Sequence, residues 1–423
     1  MTLGNKSSDI LLNQKPERSY VIWGLWLFLI AAVLGTSMRL FWVMELPFFE
    51  YTNVLHAHSH LAMLGWGFTI ICTLFTYFLH GRLQKPIFYR WSLLANSIVC
   101  LVMTVAFILK GYTILSISLL TAHLLIAYFL GYLLLIDLKK LPNQTAALLG
   151  RWAIYWMFIS TLGVWLLPIV IVNFGKLDPL YSASIEFFLH LQFNGWFVYA
   201  ILAFLVLAYE RKGILLEISK WEFWGLQISL ILTYGLPAYW SYPLAILSYF
   251  NALGVAIQLV VLWRILIPML KKSRESHYGK REIGDWLVLS GILSLLAKTA
   301  MQSTLLLPTF LLASSEIRHF FIGFIHLIML GVFTMTSLGV CHQAGIVPQN
   351  NLSKLGFVML IFGFISTELV LFVQGLLLWN SWGSMPNYHE IILAFTILLP
   401  IGIAVVIASF FWTFYKIAPK TLL

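Results

Sequence analysis

Apolar residues run along this chain in long blocks, each broken only by short polar stretches, rather than alternating with polar ones at a strand's period of two. A hydrocarbon layer about 30 Å thick takes roughly 20 apolar residues of helix at 1.5 Å each, so blocks of this length predict membrane-crossing helices. Twelve fit, near residues 19–44, 54–79, 87–109, 112–136, 149–173, 181–209, 220–238, 243–270, 284–306, 317–340, 353–379 and 387–415. The expected fold is all-α, a polytopic transmembrane helix bundle occupying residues 19–418 as one domain behind a polar tail at 1–18. The seventh block is the weakest, because Gly235 and Pro237 interrupt it, and "LPAYWSYP" reads as a broken helix or a short outer loop.

Charge sets the expected orientation. Basic residues are retained on the cytoplasmic side. With the N-terminus inside, only Arg39, Lys110, Lys176 and Arg318 of the 26 lysines and arginines fall outside, and Lys298 falls within the membrane. Both termini are therefore expected in the cytoplasm of a cell whose inner membrane holds the protein, with "LKKSRESHYGKRE" as the strongest anchor. The tail reads as cytoplasmic rather than as a cleaved signal peptide. A composition of 61% hydrophobic and 10% charged residues fits a lipid bilayer as the main partner and offers no nucleic-acid-binding surface. Cys72, Cys100 and Cys341 show no metal or disulfide spacing and read as packing residues. No P-loop, GxGxxG or HExxH is present, and no convincing internal repeat is visible.

Polar side chains inside the apolar blocks are the functional candidates, because a bilayer makes them expensive. Counting helix rise from the outer ends puts His60 about 9 Å deep, His190 and His326 about 14 Å and His123 about 16 Å. Lys298 and Glu368 come to about 12 and 16 Å, while His56, His58, His319 and His389 sit above them. Five or six helices thus bring titratable groups to one level. At 100° per residue His56 and His60 share a face and His58 points the other way, whereas His319 and His326, seven apart, share a face. Glu186, His190 and Asn194 form a polar stripe on the sixth block, and Gln302 lies one turn from Lys298. Neutral imidazole ligates haem iron, copper and zinc, and a haem needs only one or two such ligands and an apolar cavity. Lys298 and Glu368 read as a buried ion pair, a proton relay or an anchor for haem propionates.

Two segments carry a resemblance. "HAHSHLAMLGWGF" resembles the histidine-rich start of a transmembrane helix in NnrS-like and C-type oxidase sequences, and "RHFFIGFIHLIMLGVFTMTSLGVCHQAG" looks like a later NnrS helix. With about twelve spans and histidines on the second, sixth and tenth, the chain is similar to the catalytic subunit of haem-copper oxidases and nitric oxide reductases. The resemblance covers most of the chain in span count, and two or three helices in motif. It implies haem axial ligands at His56 or His60 and at His326, with His319 as a weaker candidate. It implies a copper-binding role for His190. His58, His123 and His389 are expected to line the distal side or a second metal, and Glu368, Lys298 and Glu186 to carry protons. The seventh block lacks the histidine pair of an oxidase copper site, and the tenth lacks His-x-His.

The expected function is a haem-binding, copper-binding redox protein that handles nitric oxide or oxygen and takes electrons from a partner subunit. Two other readings stay open: a proton-coupled transporter or channel without haem, and a non-catalytic oxidase-like scaffold or sensor. Exposed backbone in the seventh block would suit the transporter.

Overall fold

A computed structural model of the chain describes residues 16–275 and 281–417, so most of the expected tail and the centre of the basic loop lie outside the described residues. The described residues form helices and no strand. Eleven helices are long and apolar enough to cross a membrane. They are α1 (Glu17–Leu40), α2 (Tyr51–Phe78), α3 (Pro86–Lys110), α4 (Ile114–Lys140), α5 (Gln144–Asn173), α6 (Pro179–Glu210), α9 (Ala245–Lys272), α10 (Ile283–Thr304), α12 (Arg318–Gln343), α13 (Asn351–Trp379) and α14 (Tyr388–Tyr415).

The seventh block is the exception: it folds as two shorter helices, α7 (Lys220–Thr233) and α8 (Gly235–Ser241). Pro237 has no N–H to offer the carbonyl of Thr233, four residues earlier, so the ladder breaks where the sequence expects a break. Gly235 has a second role. A Cβ there would collide with the Leu247 carbonyl of α9, so only glycine lets α9 pack this closely. A short helix, α11 (Pro308–Glu316), precedes α12.

Local signals set several helix starts. Asn143 accepts from the Ala146 N–H and Asp178 from the Leu180 N–H, the latter just before a proline at the first helical position of α6. Reciprocal side-chain bonds of Ser219 with Glu222 and of Glu282 with Asp285 open α7 and α10. Ion pairs such as Lys212–Asp285 (2.7 Å) and Arg264–Glu222 (3.1 Å) lie at helix ends and are worth up to about 1 kcal/mol each. The three cysteines are buried and free, in keeping with packing roles.

By its internal contacts the chain groups into two compact units. The first contains Met1–Leu130, Cys341–Gly363 and Leu393–Leu423, and the second Gly131–Val340 and Phe364–Ile392. In the first, Phe28 of α1 stacks on Trp66 of α2 at 4.8 Å, with Gly24 of α1 lying against the same indole. Gly356 and Gly402 face each other's carbonyls across the α13–α14 crossing, the small-residue contact by which membrane helices approach closely. In the second unit α7 and α8 pack along α9, and α10 packs along α12.

Burial singles out three helices. In α2, α6 and α12 the most apolar 18-residue stretch is 83%, 100% and 61% buried, against 33–50% in the other eight. These are the most buried helices, and they carry three of the four histidines that the depth argument places deepest; the fourth, His123, lies on α4.

Candidate functional site

The three most buried helices share a local pattern. Residues 60–66 read HLAMLGW, 190–196 read HLQFNGW and 326–332 read HLIMLGV. In each, the histidine ends a stretch of α-helix and the next leucine begins a π-helical one: Leu61–Gly67, Leu191–Phe197 and Leu327–Met335. This threefold HLxxxG is an internal repeat, contrary to the expectation of none. A sequence search for long similarities passes over it because only three of six positions agree. A π-turn accommodates one extra residue, widens the helix and displaces backbone hydrogen bonds, and such turns concentrate at functional sites.

In two of the three copies the glycine admits a neighbouring helix. A Cβ at Gly195 would crowd Trp156 of α5 and one at Gly331 would crowd Ser294 of α10 and Phe364 of α13, whereas at Gly65 it would crowd Leu61 of α2 itself and meet Leu27 of α1 only in ordinary contact. A Cβ at Gly331 would stand 2.6 Å from Phe364 Cζ and 2.8 Å from Ser294 Cβ. Gly331→Val is therefore expected to destabilise the protein by about 1–3 kcal/mol, read as a lower thermal midpoint in detergent, with Gly213→Ala in an open loop as the small-effect control.

In the first unit the clustered histidines divide as their helical angles require. His58 turns to α1, where Nδ1–H donates to the Ala31 carbonyl (2.8 Å), and Gly35 leaves the space it occupies. His56 and His60 turn to the end of α3: His60 stacks on Phe107 (4.7 Å between centroids) and His56 meets the edge of Tyr112 (4.7 Å). His60 Nδ1–H donates to the His56 carbonyl (2.7 Å), which leaves Nε2 as the lone-pair nitrogen, and the Tyr112 hydroxyl approaches it at 3.4 Å. Buried His123 on α4 donates from Nδ1 to Asn96 Oδ1 (2.7 Å). The amide of Asn96 is oriented in turn by the Leu64 carbonyl inside the π-turn (3.1 Å) and by Thr69 (3.4 Å). The wide turn of α2 thus selects the His123 tautomer through Asn96.

In the second unit His190 is buried and donates from Nε2 to the Leu230 carbonyl of α7 (2.8 Å), which commits the nitrogen that a copper role would most simply use. Asn194 donates to the His190 carbonyl (3.2 Å), and its Oδ1 has no hydrogen-bond partner among the described residues. Glu186 accepts from Ser241 of α8 (3.0 Å). His326 Nδ1 lies 3.9 Å from Glu368 Oε1, and the same carboxylate lies over Gly323 on the His326 face of α12. His319 meets Tyr388 edge-on (5.3 Å), and the ring of His389 meets the neighbouring Tyr388 at 5.0 Å.

The expected Lys298–Glu368 ion pair does not form. Lys298 is 1% exposed and, among the described residues, has no carboxylate within salt-bridge distance. Depth placed both groups at one level, but Glu368 turns to His326 instead. The ammonium lies 6.0 Å from the Phe324 ring centroid, a contact worth at most about 2 kcal/mol, against a burial cost of several kcal/mol for an ion. Gln302, one turn away, is buried with Oε1 unpartnered.

Sequence reasoning missed Asn96, Tyr112 and Gln227, whose Oε1 accepts from Trp156 Nε1 (2.9 Å). An asparagine and a glutamine inside apolar blocks were the available signal. Among the described residues no group of three or more His, Cys, Asp or Glu converges as a metal site. No protein-family model matches the chain, and no curated protein matches it.

Proposed function

We propose that the protein is a haem-binding redox protein of the cytoplasmic membrane that handles a small gas, nitric oxide or oxygen, with His60 of the first unit and His326 of the second each serving, within its own unit, as an iron ligand. The observation that carries this reading is the recurrence of a histidine at the mouth of a π-turn in each of the three most buried helices, with the ring of His60 held by an Nδ1–H bond to a carbonyl. A ring fixed in this way presents Nε2 as a lone pair, the usual arrangement of a ligating histidine. Glu368 beside His326 is the carboxylate counterpart of that arrangement.

The residues fit a haem better than a metal held by protein alone, because one imidazole per iron face suffices and no three-ligand cluster converges among the described residues. Copper therefore has no part in the proposal. Phe107, stacked on His60, supplies an apolar wall, and Tyr112 supplies a hydroxyl that reaches the ligating nitrogen when no iron is bound. A bound haem would supply one-electron chemistry and an open position for the gas. His123, fixed by Asn96, offers a lone pair rather than an N–H from its Nε2. Electrons would come from a partner subunit.

The test is an optical spectrum of the purified protein, air-oxidised and dithionite-reduced, with iron analysis on the same sample. A Soret band with resolved reduced bands is expected, together with a shift under carbon monoxide. A colourless, iron-free protein from haem-replete cells would overturn the proposal.

A further inference from the structure

His60 presents one lone-pair nitrogen, Nε2, because its Nδ1–H is donated to the His56 carbonyl (2.7 Å). Two aromatic side chains from the end of α3 and the turn behind it control the approach to that nitrogen. Phe107 lies stacked on the imidazole face (4.7 Å between centroids, 18° between planes) and is fully buried, so it is a fixed wall. Tyr112 is placed differently. Its hydroxyl stands 3.4 Å from Nε2, and the residue is 54% exposed.

Because Nε2 carries no hydrogen, the contact has one polarity: the phenol donates and the imidazole accepts. A separation of 3.4 Å is at the long end for such a bond, so the hydroxyl covers the nitrogen without holding it strongly. The backbone beneath is braced. Gly111 lies against Asn53 of α2 with a φ of 61°, which L side chains rarely adopt, and Ser116 accepts from the Thr113 N–H (2.8 Å) while donating to the Gly111 carbonyl (2.9 Å). Uncovering Nε2 is therefore a rotation of the Tyr112 side chain, not a movement of the turn, and exposed side chains change rotamer within picoseconds to nanoseconds.

We propose that Tyr112 gates the His60 site: in the haem-free protein its hydroxyl caps the ligating nitrogen, and only a ligand that displaces the phenol gains Nε2. The gate rests on the reading of His60 as an iron ligand, and it gives Tyr112 control of access to that nitrogen rather than a part in the chemistry. Its test needs no haem.

The test uses the full chain, haem-free in detergent, with diethyl pyrocarbonate as the probe, because it acylates the lone-pair nitrogen of a neutral imidazole; peptide mass spectrometry then reads each histidine. Tyr112→Phe keeps the ring against His56 and Phe107 and removes only the hydroxyl. His60 should react about 2–10-fold faster in it, the factor that one hydrogen bond is worth, with His56 unchanged. Tyr112→Ala should speed His60 further and His56 with it, while His58, held against α1, keeps its wild-type rate in both variants. Equal His60 rates in the wild type and both variants overturn the gate, as does a rise that His56 and His58 share equally in Tyr112→Phe. A colourless protein from haem-replete cells whose His60 still responds to Tyr112 removes the haem and leaves the gate, whereas a normal Soret band with unresponsive His60 rates removes the gate and leaves the haem.

Discussion

His326→Ala is expected to abolish the Soret band of the purified protein outright, because no other described histidine shares its position against Glu368. Glu368→Gln should act one step removed. It leaves the imidazole in place but takes away the charge beside Nδ1, and loss of such a partner typically weakens metal binding by 10–100-fold, about 1.4–2.7 kcal/mol. Haem titration of the apoprotein would separate the two effects. His389→Ala, whose ring meets Tyr388, should leave the spectrum unchanged. A normal spectrum in His326→Ala would remove that ligand assignment, while the same loss in His389→Ala would point to misfolding.

Asn96→Leu is expected to cost about 2 kcal/mol of stability, the largest loss from a single interior amide in the first unit. The side chain joins His123, the Leu64 carbonyl and Thr69. Hydrogen bonds between membrane helices average about 0.6 kcal/mol and reach about 1.7, so three of them sum to roughly that amount. The check is a thermal or denaturant midpoint in detergent, with Lys212→Ala at an exposed helix end as a comparison expected to change by less than about 1 kcal/mol. If both changes were equally mild, the Asn96 network would not be holding the π-turn of α2. A second readout follows from its geometry. With Asn96 gone nothing selects the His123 tautomer, so ring-nitrogen NMR should show the Nδ1–H form dominant in the wild type and a mixture in the variant.

The polar cluster around His190 shows how far a sequence can carry such a site. The stripe Glu186, His190 and Asn194 was legible from spacing alone, and all three lie on α6. Their partners were not. Ser241 and Leu230, the latter taking up the Nε2–H of His190, come from α8 and α7, whose approach depends on the break at Pro237 and on Gly235 lying against α9. The angular division of His56, His58 and His60 was also legible, because the π-turn begins only after His60 and regular 100° steps still apply before it.

The sequence by itself determined that this protein is all-helical and membrane-embedded, where its helices run, and at what height along each helix the histidines, Lys298 and Glu368 stand. Those properties follow from one dimension: lipid thickness sets the block length, and helix rise converts residue number to depth. Only the tertiary structure decided which groups meet at a given height. It gave Glu368 to His326 and left Lys298 buried without a carboxylate partner among the described residues, sent His190 to a backbone carbonyl, and set Asn96 between His123 and a π-turn. The physical reason is rotation about the helix axis, which depends on glycine contacts between helices and on π-turns that each insert a residue and swing everything beyond them to a new face.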